Sequence, residues 1–426
     1  MIIHVVKPGE SVFSISQKYG VPPEKIISDN RLKNPEKLVV GQTLVILTDK
    51  IPHKVSKGQS LYSIAKSYGV TLSELKKANP DIQNPSNLTP GQVVQIPFSQ
   101  KKLGTIYVNG YAFPNISTEV LKSTLPYLTY LSIFSYQVRP NGSLITINDM
   151  PLIQEARKAG VAPMMVITNI EEGGSFSSEL AHVILNSEQI QNTLINNILS
   201  TLKSKNYYGL DIDFEYVFPE DRDNYNKFLK KITDTLRPLG YTITTALAPK
   251  TSANQPGLLY EAHDYAVHGK LVDHVIIMTY EWGYTYGPAQ AVAPINQVRK
   301  VLDYAVTEIP SKKILMGMPN YGYDWTLPFV QGSKAKTVTN VGAVDLAHRE
   351  GATIQFDQKS QAPFFNYTDN AGKKHVVWFD DARSTAARLR LINQYNLGGV
   401  SYWTINRFFP QNWLVLNSLY NIRKLL

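Results

Sequence analysis

The 426-residue sequence contains no cysteine. This absence excludes disulfide bonds, a thiolate nucleophile and a zinc site with thiolate ligands, so the fold depends on its hydrophobic core. No run of 18 apolar residues occurs, and residues 1–10 lack a basic stretch followed by an apolar one. We therefore expect neither membrane insertion nor a secretion signal of the usual kind.

Charged residues are also few, at 18% of the sequence, while hydrophobic residues make up 43%, as in a globular protein. The formal net charge is +9, and the first hundred residues hold 12 Lys and Arg against 7 Asp and Glu. Such a surface favours anionic partners, including anionic cell-wall polymers. The basic residues are scattered and form no basic helix, so we expect no nucleic-acid binding.

What the sequence does contain is an internal duplication. Residues 4–21 recur at 53–70 with the same Tyr-Gly-Val ending, and a Gly-Gln segment follows later in each copy. Each copy predicts a short strand, a turn containing glycine, a helix that begins after Ser11 or Ser60, a second helix and a closing strand.

This pattern resembles the LysM domain, a βααβ unit that binds glycans containing N-acetylglucosamine. The resemblance covers nearly all of both copies and implies LysM domains at residues 1–48 and 51–98. A dimerisation module is the alternative interpretation. Short polar segments at 48–52 and 99–102 are predicted to join the parts of the chain.

Residues 103–426 alternate between apolar runs rich in β-formers and amphipathic helical stretches. The predicted strands are 103–108, 127–135, 162–167, 209–215, 242–248, 274–280, 314–318 and 399–403. Helices between them, such as 188–205 and 221–239, favour the α/β class and a (β/α)8 TIM barrel over an open sheet. The long interval between the last two strands predicts a small α+β insertion at about 324–377.

Three acidic residues alternate with apolar residues in the fourth predicted strand. Asp211, Asp213 and Glu215 are therefore expected to point to one side, toward the barrel axis and its mouth. Crowded carboxyl groups raise one another's pKa, which keeps one of them protonated near neutral pH as a general acid. Glu215, the longest and nearest the mouth, is the candidate proton donor. A divalent-metal site and an inert acidic cluster are the alternatives.

The motif Asp-x-Asp-x-Glu at the end of a fourth barrel strand resembles the signature of glycoside hydrolase family 18. Further matches lie at the ends of the last three strands, namely Met278-Thr-Tyr280, Gly317-Met-Pro-Asn-Tyr321 and Trp403. Two positions depart from the family pattern. Tyr208 stands where the fuller motif begins with an aspartate, and Glu281 stands where many members have aspartate. Neither change removes the acid.

The resemblance implies a retaining, substrate-assisted mechanism with no metal and no cofactor. Glu215 would protonate the glycosidic oxygen while the substrate's own 2-acetamido carbonyl attacks the anomeric carbon. Asp213, with Asp211 behind it, would orient the acetamido N–H, and Tyr280 would hydrogen-bond the acetamido oxygen. The substrate-binding residues implied are Trp403, as an apolar floor under the sugar, with Met278, Tyr321 and Met318.

Paired LysM units before such a barrel resemble the cortex-lytic glucosaminidases of bacterial spore germination. This implies peptidoglycan or a related N-acetylglucosamine glycan as the partner, and association with the spore or the cell wall, in particular with the spore coat or cortex. Spore cortex contains muramic lactam units without a free acetamido group, so a substrate-assisted enzyme must place N-acetylglucosamine in the reacting subsite. A glucosaminidase is therefore expected rather than a muramidase. The alternatives are a chitinase acting on chitin oligomers and a non-catalytic chitinase-like glycan-binding protein.

All candidate catalytic residues lie between 211 and 403, and the barrel is expected to have its own core. Removal of residues 1–100 should then leave the barrel folded and active on small soluble fragments. The same removal should weaken attachment to insoluble wall material, because linked binding sites raise avidity without changing the chemistry.

Overall fold

The computed structural model describes residues 1–98, 101–171 and 173–426. The joint predicted at 99–102 therefore lies partly outside the described residues. The strands form two small two-stranded sheets, a ten-stranded sheet and a five-stranded sheet. Within the described ranges, no helix has both the length and the apolar character needed to cross a membrane.

Each N-terminal repeat folds as a βααβ unit, as predicted. We term the first repeat module 1 and the second module 2. The elements of module 1 are β1 (Ile2–Val5), α1 (Val12–Tyr19), α2 (Pro23–Asn30) and β2 (Thr43–Ile46), and those of module 2 are β3 (Lys50–Lys54), α3 (Leu61–Tyr68), α4 (Leu72–Ala78) and β4 (Val93–Pro97). Ser11 and Ser60 cap the first helix of each module through a capping box, which satisfies two free N–H groups at the helix start.

The following part of the chain alternates strands and helices. Its elements are β5 (Thr105–Ala112), α5 (Thr118–Thr124), β6 (Tyr130–Val138), β7 (Leu144–Ile145), α6 (Met150–Lys158), β8 (Ala162–Thr168), α7 (Ser178–Leu185), α8 (Glu188–Lys205), β9 (Gly209–Asp213), α9 (Arg222–Leu236), β10 (Thr242–Leu247), α10 (Tyr265–Leu271), β11 (His274–Ile277), α11 (Ile295–Glu308) and β12 (Ile314–Pro319). Helix α8 has the predicted bounds, since Ser187 caps its start and Asn206 ends it in the left-handed conformation.

A separate antiparallel sheet with one helix follows β12, and we term it the insertion (322–378). Its elements are β13 (Gly322–Leu327), β14 (Lys336–Val338), α12 (Asn340–Arg349), β15 (Gln355–Asp357), β16 (Ala362–Thr368) and β17 (Lys374–Trp378), in the sheet order β14-β13-β17-β16-β15. The chain then returns to the barrel through α13 (Ala382–Gln394), β18 (Gly399–Trp403), α14 (Pro410–Leu419) and β19 (Asn421–Ile422).

Eight parallel strands close into a barrel in the order β5-β6-β8-β9-β10-β11-β12-β18. Closure results from the parallel pairing of β5 with both β6 and β18. The α/β class, the TIM barrel, the insertion between the seventh and eighth barrel strands and the two preceding βααβ modules are confirmed.

The main hydrophobic cluster lies between the barrel strands and the surrounding helices. Leu210 and Ile212 of β9 meet Phe228, Leu229 and Ile232 of α9 in this cluster. The α9 residues are spaced so that they share one helix face, and each buried side chain of this size contributes about 1.5–3 kcal/mol. This packing fixes the rotation of β9 and hence the side to which its acids point.

Two barrel strands end earlier than predicted, the fourth at Asp213 and the sixth at Ile277. Glu215 and Tyr280 therefore lie in the loops that begin at the barrel mouth. The residue after each of them has a positive φ, 54° and 67° respectively. This left-handed backbone turns the chain away from the strand direction.

Candidate active site

Strand β9 directs its acids into the barrel. Asp211 and Asp213 alternate with Leu210 and Ile212, and both apolar side chains are fully buried in the cluster beneath the helices. Since successive side chains of a strand point to opposite faces, both carboxyl groups point toward the barrel interior.

Asp211 is fully buried and accepts hydrogen bonds from two hydroxyl groups. Tyr111 donates to Oδ2 at 2.6 Å, and Thr244 donates to Oδ1 at 2.5 Å. Burial raises the pKa of Asp211 from 3.8 to about 6, in spite of the lowering effect of these two hydrogen bonds. Asp211, the first of the three acids along the chain, is therefore hydrogen-bonded to two hydroxyl donors.

Asp213 and Glu215 interact electrostatically. Burial, and then the charges of Glu215 and Asp211, raise the pKa of Asp213 well above its usual range. Burial also raises the pKa of Glu215 to about 7. Glu215 is therefore partly protonated at neutral pH, which is the condition for a general acid at that pH. Asp213 Oδ1 is buried and has no hydrogen-bond partner within the described chain.

The side-chain amide of Asn169 holds the backbone of Glu215. Its Oδ1 accepts the Glu215 N–H at 2.9 Å, and its Nδ2 donates to the Glu215 carbonyl at 2.8 Å. Nδ2 also donates to the carbonyl of Ser177 at 2.9 Å, and Asn169 itself is fully buried. Asn169 directly follows the end of β8, so a neighbouring strand positions the candidate acid.

The ring of Tyr280 lies against Gly317 of β12. A Cβ at Gly317 would lie 2.8 Å from Tyr280 Cε1 and 2.5 Å from the carbonyl oxygen of Ile277, so any larger residue would displace the ring. Burial and the charges of Asp213 and Glu215 raise the pKa of Tyr280 well above 10. The hydroxyl therefore stays protonated and can donate a hydrogen bond.

Tyr321 is bonded to the carboxylate of Glu281, the residue that follows Tyr280. Its hydroxyl donates to Glu281, and the hydroxyl of Tyr323 donates to the same carboxylate oxygen at 3.1 Å. At Glu281, where the sequence departs from the family pattern, the carboxylate therefore accepts hydrogen bonds from two tyrosine hydroxyls, one just before the insertion and one in its first strand. These contacts place Tyr321 next to the loop that carries Tyr280.

Trp403 ends β18 and is surrounded by aromatic rings. The ring centroids of Phe134, Tyr111 and Phe113 lie 4.8, 5.4 and 5.7 Å from it, all in edge-on arrangements. Tyr111 links this aromatic group to Asp211 through its hydroxyl. Trp403 is partly buried, and its position beside the acids fits the predicted floor of a sugar site.

The two predicted methionines differ in position. Met278 is partly buried at the start of the loop after β11, where its N–H bonds to the carbonyl of Leu247 at 2.9 Å. Met318 is 1% exposed and lies with Ile314 in the cluster between strands and helices. Because alternate residues of β12 share a face, Met318 points away from the barrel interior. A substrate contact for Met318 does not fit this position.

Three residues that contact the acids or their backbone are not predicted by the sequence patterns, namely Tyr111, Thr244 and Asn169. Strand alternation could have indicated Tyr111, because Ile106 and Val108 lie on the helix-facing side of β5. The predicted end of the first strand at residue 108 hid this signal. No sequence feature indicates that Asn169 reaches the Glu215 backbone.

Tyr208 lies apart from the acids. Its ring packs in a small cluster with Tyr130 and Met164 at the other end of the barrel interior. Its N–H bonds to the Pro163 carbonyl at 2.8 Å, as part of the pairing beside β9. The presence of a tyrosine at this position therefore leaves the contacts of Asp211 with its two hydroxyl donors intact.

Comparison with known families agrees with this geometry. Residues 105–407 match the family described as glycosyl hydrolases family 18, and residues 4–47 and 53–97 match the LysM domain. Among the described residues, no three acidic or histidine side chains converge in a way that could hold a metal ion.

Two curated relatives and one solved structure resemble the chain over its full length. The cortical fragment-lytic enzyme of Bacillus subtilis (strain 168) is 43% identical, covering 100% of this chain and 99% of the relative. The enzyme of the same name from Bacillus anthracis is 42% identical, covering 99% of both. The crystal structure of the Bacillus megaterium QM B1551 spore cortex-lytic enzyme SleL is 40% identical with a TM-score of 0.91, covering 100% of this chain and 99% of that one. The chain therefore belongs to glycoside hydrolase family 18, with two LysM domains preceding the barrel.

Proposed function

We propose that this chain is a spore-cortex N-acetylglucosaminidase that hydrolyses the β-1,4 bond after N-acetylglucosamine with retention of configuration. The observation that carries the proposal is the convergence of Asp211, Asp213 and Glu215 at the barrel mouth, with the pKa of Glu215 raised to about 7. A carboxylic acid that keeps its proton near neutral pH is what protonation of a glycosidic oxygen requires.

Glu215 is the proton donor to the leaving-group oxygen. Its side chain is partly exposed at the mouth, whereas Asp211 and Asp213 lie deeper in the barrel. The two hydrogen bonds from the Asn169 side chain fix the backbone of Glu215, so the Glu215 carboxyl group faces the substrate in a defined direction. Positioning of this kind lowers the entropy cost of reaching the transition state.

The nucleophile is the 2-acetamido carbonyl of the substrate, which attacks the anomeric carbon as the glycosidic bond breaks. An oxazolinium ion results, and water opens it with retention. Asp213 accepts the acetamido N–H and stabilises the cation, and its otherwise unpartnered Oδ1 supports this role. Tyr280 donates a hydrogen bond to the acetamido oxygen. This mechanism needs no second carboxylate as nucleophile.

The remaining contacts bind the sugar. Trp403 forms the apolar floor beneath the reacting ring, and its aromatic neighbours hold it in place. Tyr321 and Met278 lie along the loops that border the same mouth, and Tyr321 is fixed by its bond to Glu281.

Cortex peptidoglycan is the proposed substrate for two reasons. Relatives about two-fifths identical over the whole chain are named cortical fragment-lytic enzymes. In addition, muramic lactam lacks the acetamido group that this mechanism uses as nucleophile, so N-acetylglucosamine must occupy the reacting subsite. The products would carry N-acetylglucosamine at their reducing ends.

We assign glycan attachment to the N-terminal part of the chain, with LysM domains at 1–48 and 51–98 and the catalytic barrel at 103–426. The partner is peptidoglycan, and the location is the spore coat or cortex. The net charge of +9 favours the anionic polymers of the wall.

The proposal is tested by incubating soluble cortex fragments and chitin oligomers in parallel with the wild-type protein and with Glu215→Gln. The wild type should cleave cortex fragments faster than chitin oligomers. The Glu215→Gln variant should lose about 10²- to 10⁴-fold in turnover, because the amide keeps the size of the side chain but has no acidic proton. Unchanged turnover in the variant would contradict the role of Glu215, and preferential cleavage of chitin would contradict the substrate.

A further inference from the structure

Module 1 packs directly on the catalytic part of the chain. The Ile354 N–H of the insertion donates to the Val40 carbonyl at 2.9 Å, and Lys33 pairs with Asp345 of α12 at 2.8 Å. Val39 lies in the same hydrophobic cluster as the residues that line the inner side of α12. Module 1 therefore contributes Val39 to the hydrophobic core of the insertion.

Module 1 also reaches the segment that follows Trp403. Gln411 at the start of α14 donates to the Thr43 carbonyl at 2.6 Å and accepts from the Thr43 hydroxyl at 2.8 Å. The guanidinium of Arg31 lies 4.1 Å from the centre of the Phe408 ring. Arg383 at the start of α13 also donates to the Gly41 carbonyl at 3.3 Å, so the contact spans both helices that flank β18, the strand that carries Trp403.

The same surface of module 2 faces solvent, although the two modules have the same fold. Thr43 is 2% exposed and Val45 is fully buried, whereas Val93, at the position of Thr43, is 53% exposed. Gln95 occupies the position of Val45 and is only partly buried. At the position of Val45, therefore, only module 1, which packs against the catalytic part of the chain, has an apolar residue.

The interiors of the modules do not differ in this way. Asn30 bonds to both the N–H and the carbonyl of Val45, at 2.7 and 2.9 Å, and Asn79 bonds to both groups of Gln95, at 2.7 Å each. Both modules therefore share these interior bonds, and they differ in exposure at the outward face of the closing strand.

The insertion sheet separates module 1 from the candidate active site. Consecutive residues of β17 point to opposite faces: Val376 packs with Tyr321 and Tyr323 on the side of the site, and Val377 packs with Val39 on the side of module 1. The sheet therefore forms one wall of the site, and module 1 together with α12 lies directly behind that wall.

We infer that module 1 is a structural support that holds this wall, and that it is not a mobile tether. Through the wall, module 1 positions Tyr321 and Tyr323, which fix Glu281 beside Tyr280. The inference rests on the proposed function in so far as the wall borders a substrate site. It changes the expectation from sequence that both modules can be removed without effect on soluble substrates.

Two glycines provide a matched test in the full-length protein. Gly41 and Gly91 occupy the same turn, with φ of 85° and 89°, so alanine is strained equally at both. A Cβ at Gly41 would lie 1.9 Å from the Ile354 carbonyl oxygen, whereas at Gly91 its nearest neighbour is the Lys54 side chain at 3.7 Å. Gly41→Ala should separate module 1 from the insertion, and Gly91→Ala should not affect that contact.

The readouts are kcat and KM on soluble cortex fragments and hydrogen exchange of the amides in 362–378. For Gly41→Ala we expect faster exchange in these strands and a rise of about 10- to 100-fold in KM, since small displacements of substrate-positioning residues have effects of this size. A loss of folded protein alone would lower apparent kcat and leave KM unchanged. Gly91→Ala should retain wild-type KM and exchange.

A second variant provides an independent test in case Gly41→Ala does not fold. The double variant Val39→Thr with Val45→Gln copies the residues that module 2 carries at these positions, so module 1 should keep its fold while its packed face becomes polar. It should raise KM and exchange in the same direction. Wild-type KM and exchange in a folded Gly41→Ala or double variant would overturn the inference. If neither the wild type nor any variant cleaves cortex fragments, the proposed function fails, and the exchange data still decide whether module 1 holds the wall.

Discussion

The Asn169 side chain hydrogen-bonds both backbone polar groups of Glu215, accepting from the N–H at 2.9 Å and donating to the carbonyl at 2.8 Å. These bonds hold the first loop residues after β9, where the strand pairing has already ended. The candidate acid is therefore held by a side chain from the neighbouring strand end, and its position does not depend on its own strand alone.

Replacing Asn169 with alanine should lower kcat by about 10- to 100-fold with little change in KM, because the acid loses its orientation while the sugar contacts remain. Buried backbone groups left without partners should also cost about 1–3 kcal/mol of stability. Steady-state kinetics and denaturant unfolding measure both effects. The control is Asn197→Ala, which removes a bond to the Gly142 carbonyl and no bond to Glu215, and should affect stability only. Equal kcat values for the two variants would argue against the positioning role.

Tyr280→Phe should reduce kcat/KM by about 1.5–3 kcal/mol of transition-state stabilisation, the usual range for a hydrogen bond to a charge-bearing group. This corresponds to roughly 10- to 150-fold. The matched control is Tyr395→Phe, which removes an exposed hydroxyl bonded to Asp303 and should be neutral in activity. A neutral Tyr280→Phe on several soluble substrates would show that the proposed contact with the acetamido oxygen is wrong.

The pH dependence of kcat/KM should have an alkaline limb near pH 7. Glu215 must be protonated to donate, and burial raises its pKa to about 7, so activity falls as the pH rises through that value. In Glu215→Gln the remaining slow reaction should lack this limb. Profiles measured on soluble fragments at constant ionic strength provide the comparison, and full wild-type activity two units above pH 7 would conflict with the assignment.

Folding stability should also fall with rising pH in this range. The pKa of Asp211 is raised from 3.8 to about 6 and that of Glu215 from 4.5 to about 7, so the folded state binds more protons than the unfolded state within these windows. The stabilisation is fully present below the unfolded pKa values and is lost as the pH rises through the folded ones. Asp211→Asn removes one of these groups and should give a shallower decline in unfolding free energy between about pH 4 and pH 6. Identical slopes would contradict the raised pKa of Asp211.

Much of this fold could be predicted because its signals are local. The bounds of helix α8 followed from its sequence, and the alternation of Asp211 and Asp213 with apolar residues gave the correct face of β9. The duplication gave both βααβ modules. Each of these features depends on residues that are close in the chain, so a single sequence contains the information.

Contacts between distant segments could not be predicted in this way. Asn169 and Glu215 are 46 residues apart, and Val39 meets the insertion about three hundred residues later. Met318 is a different case, because the period of β12 already places it with Ile314 on the helix side. Its assignment to substrate binding followed the motif around it and neglected the strand period.

The central claim is that Glu215 acts with the acetamido group of N-acetylglucosamine, and the reducing ends of the products test it most directly. Soluble cortex fragments should be digested with the wild type, reduced with borohydride and analysed by mass spectrometry, with Glu215→Gln as the control. The account predicts new ends of reduced N-acetylglucosamine with the wild type and essentially none with the variant. New ends of reduced muramic acid, or equal product from the variant, would contradict it.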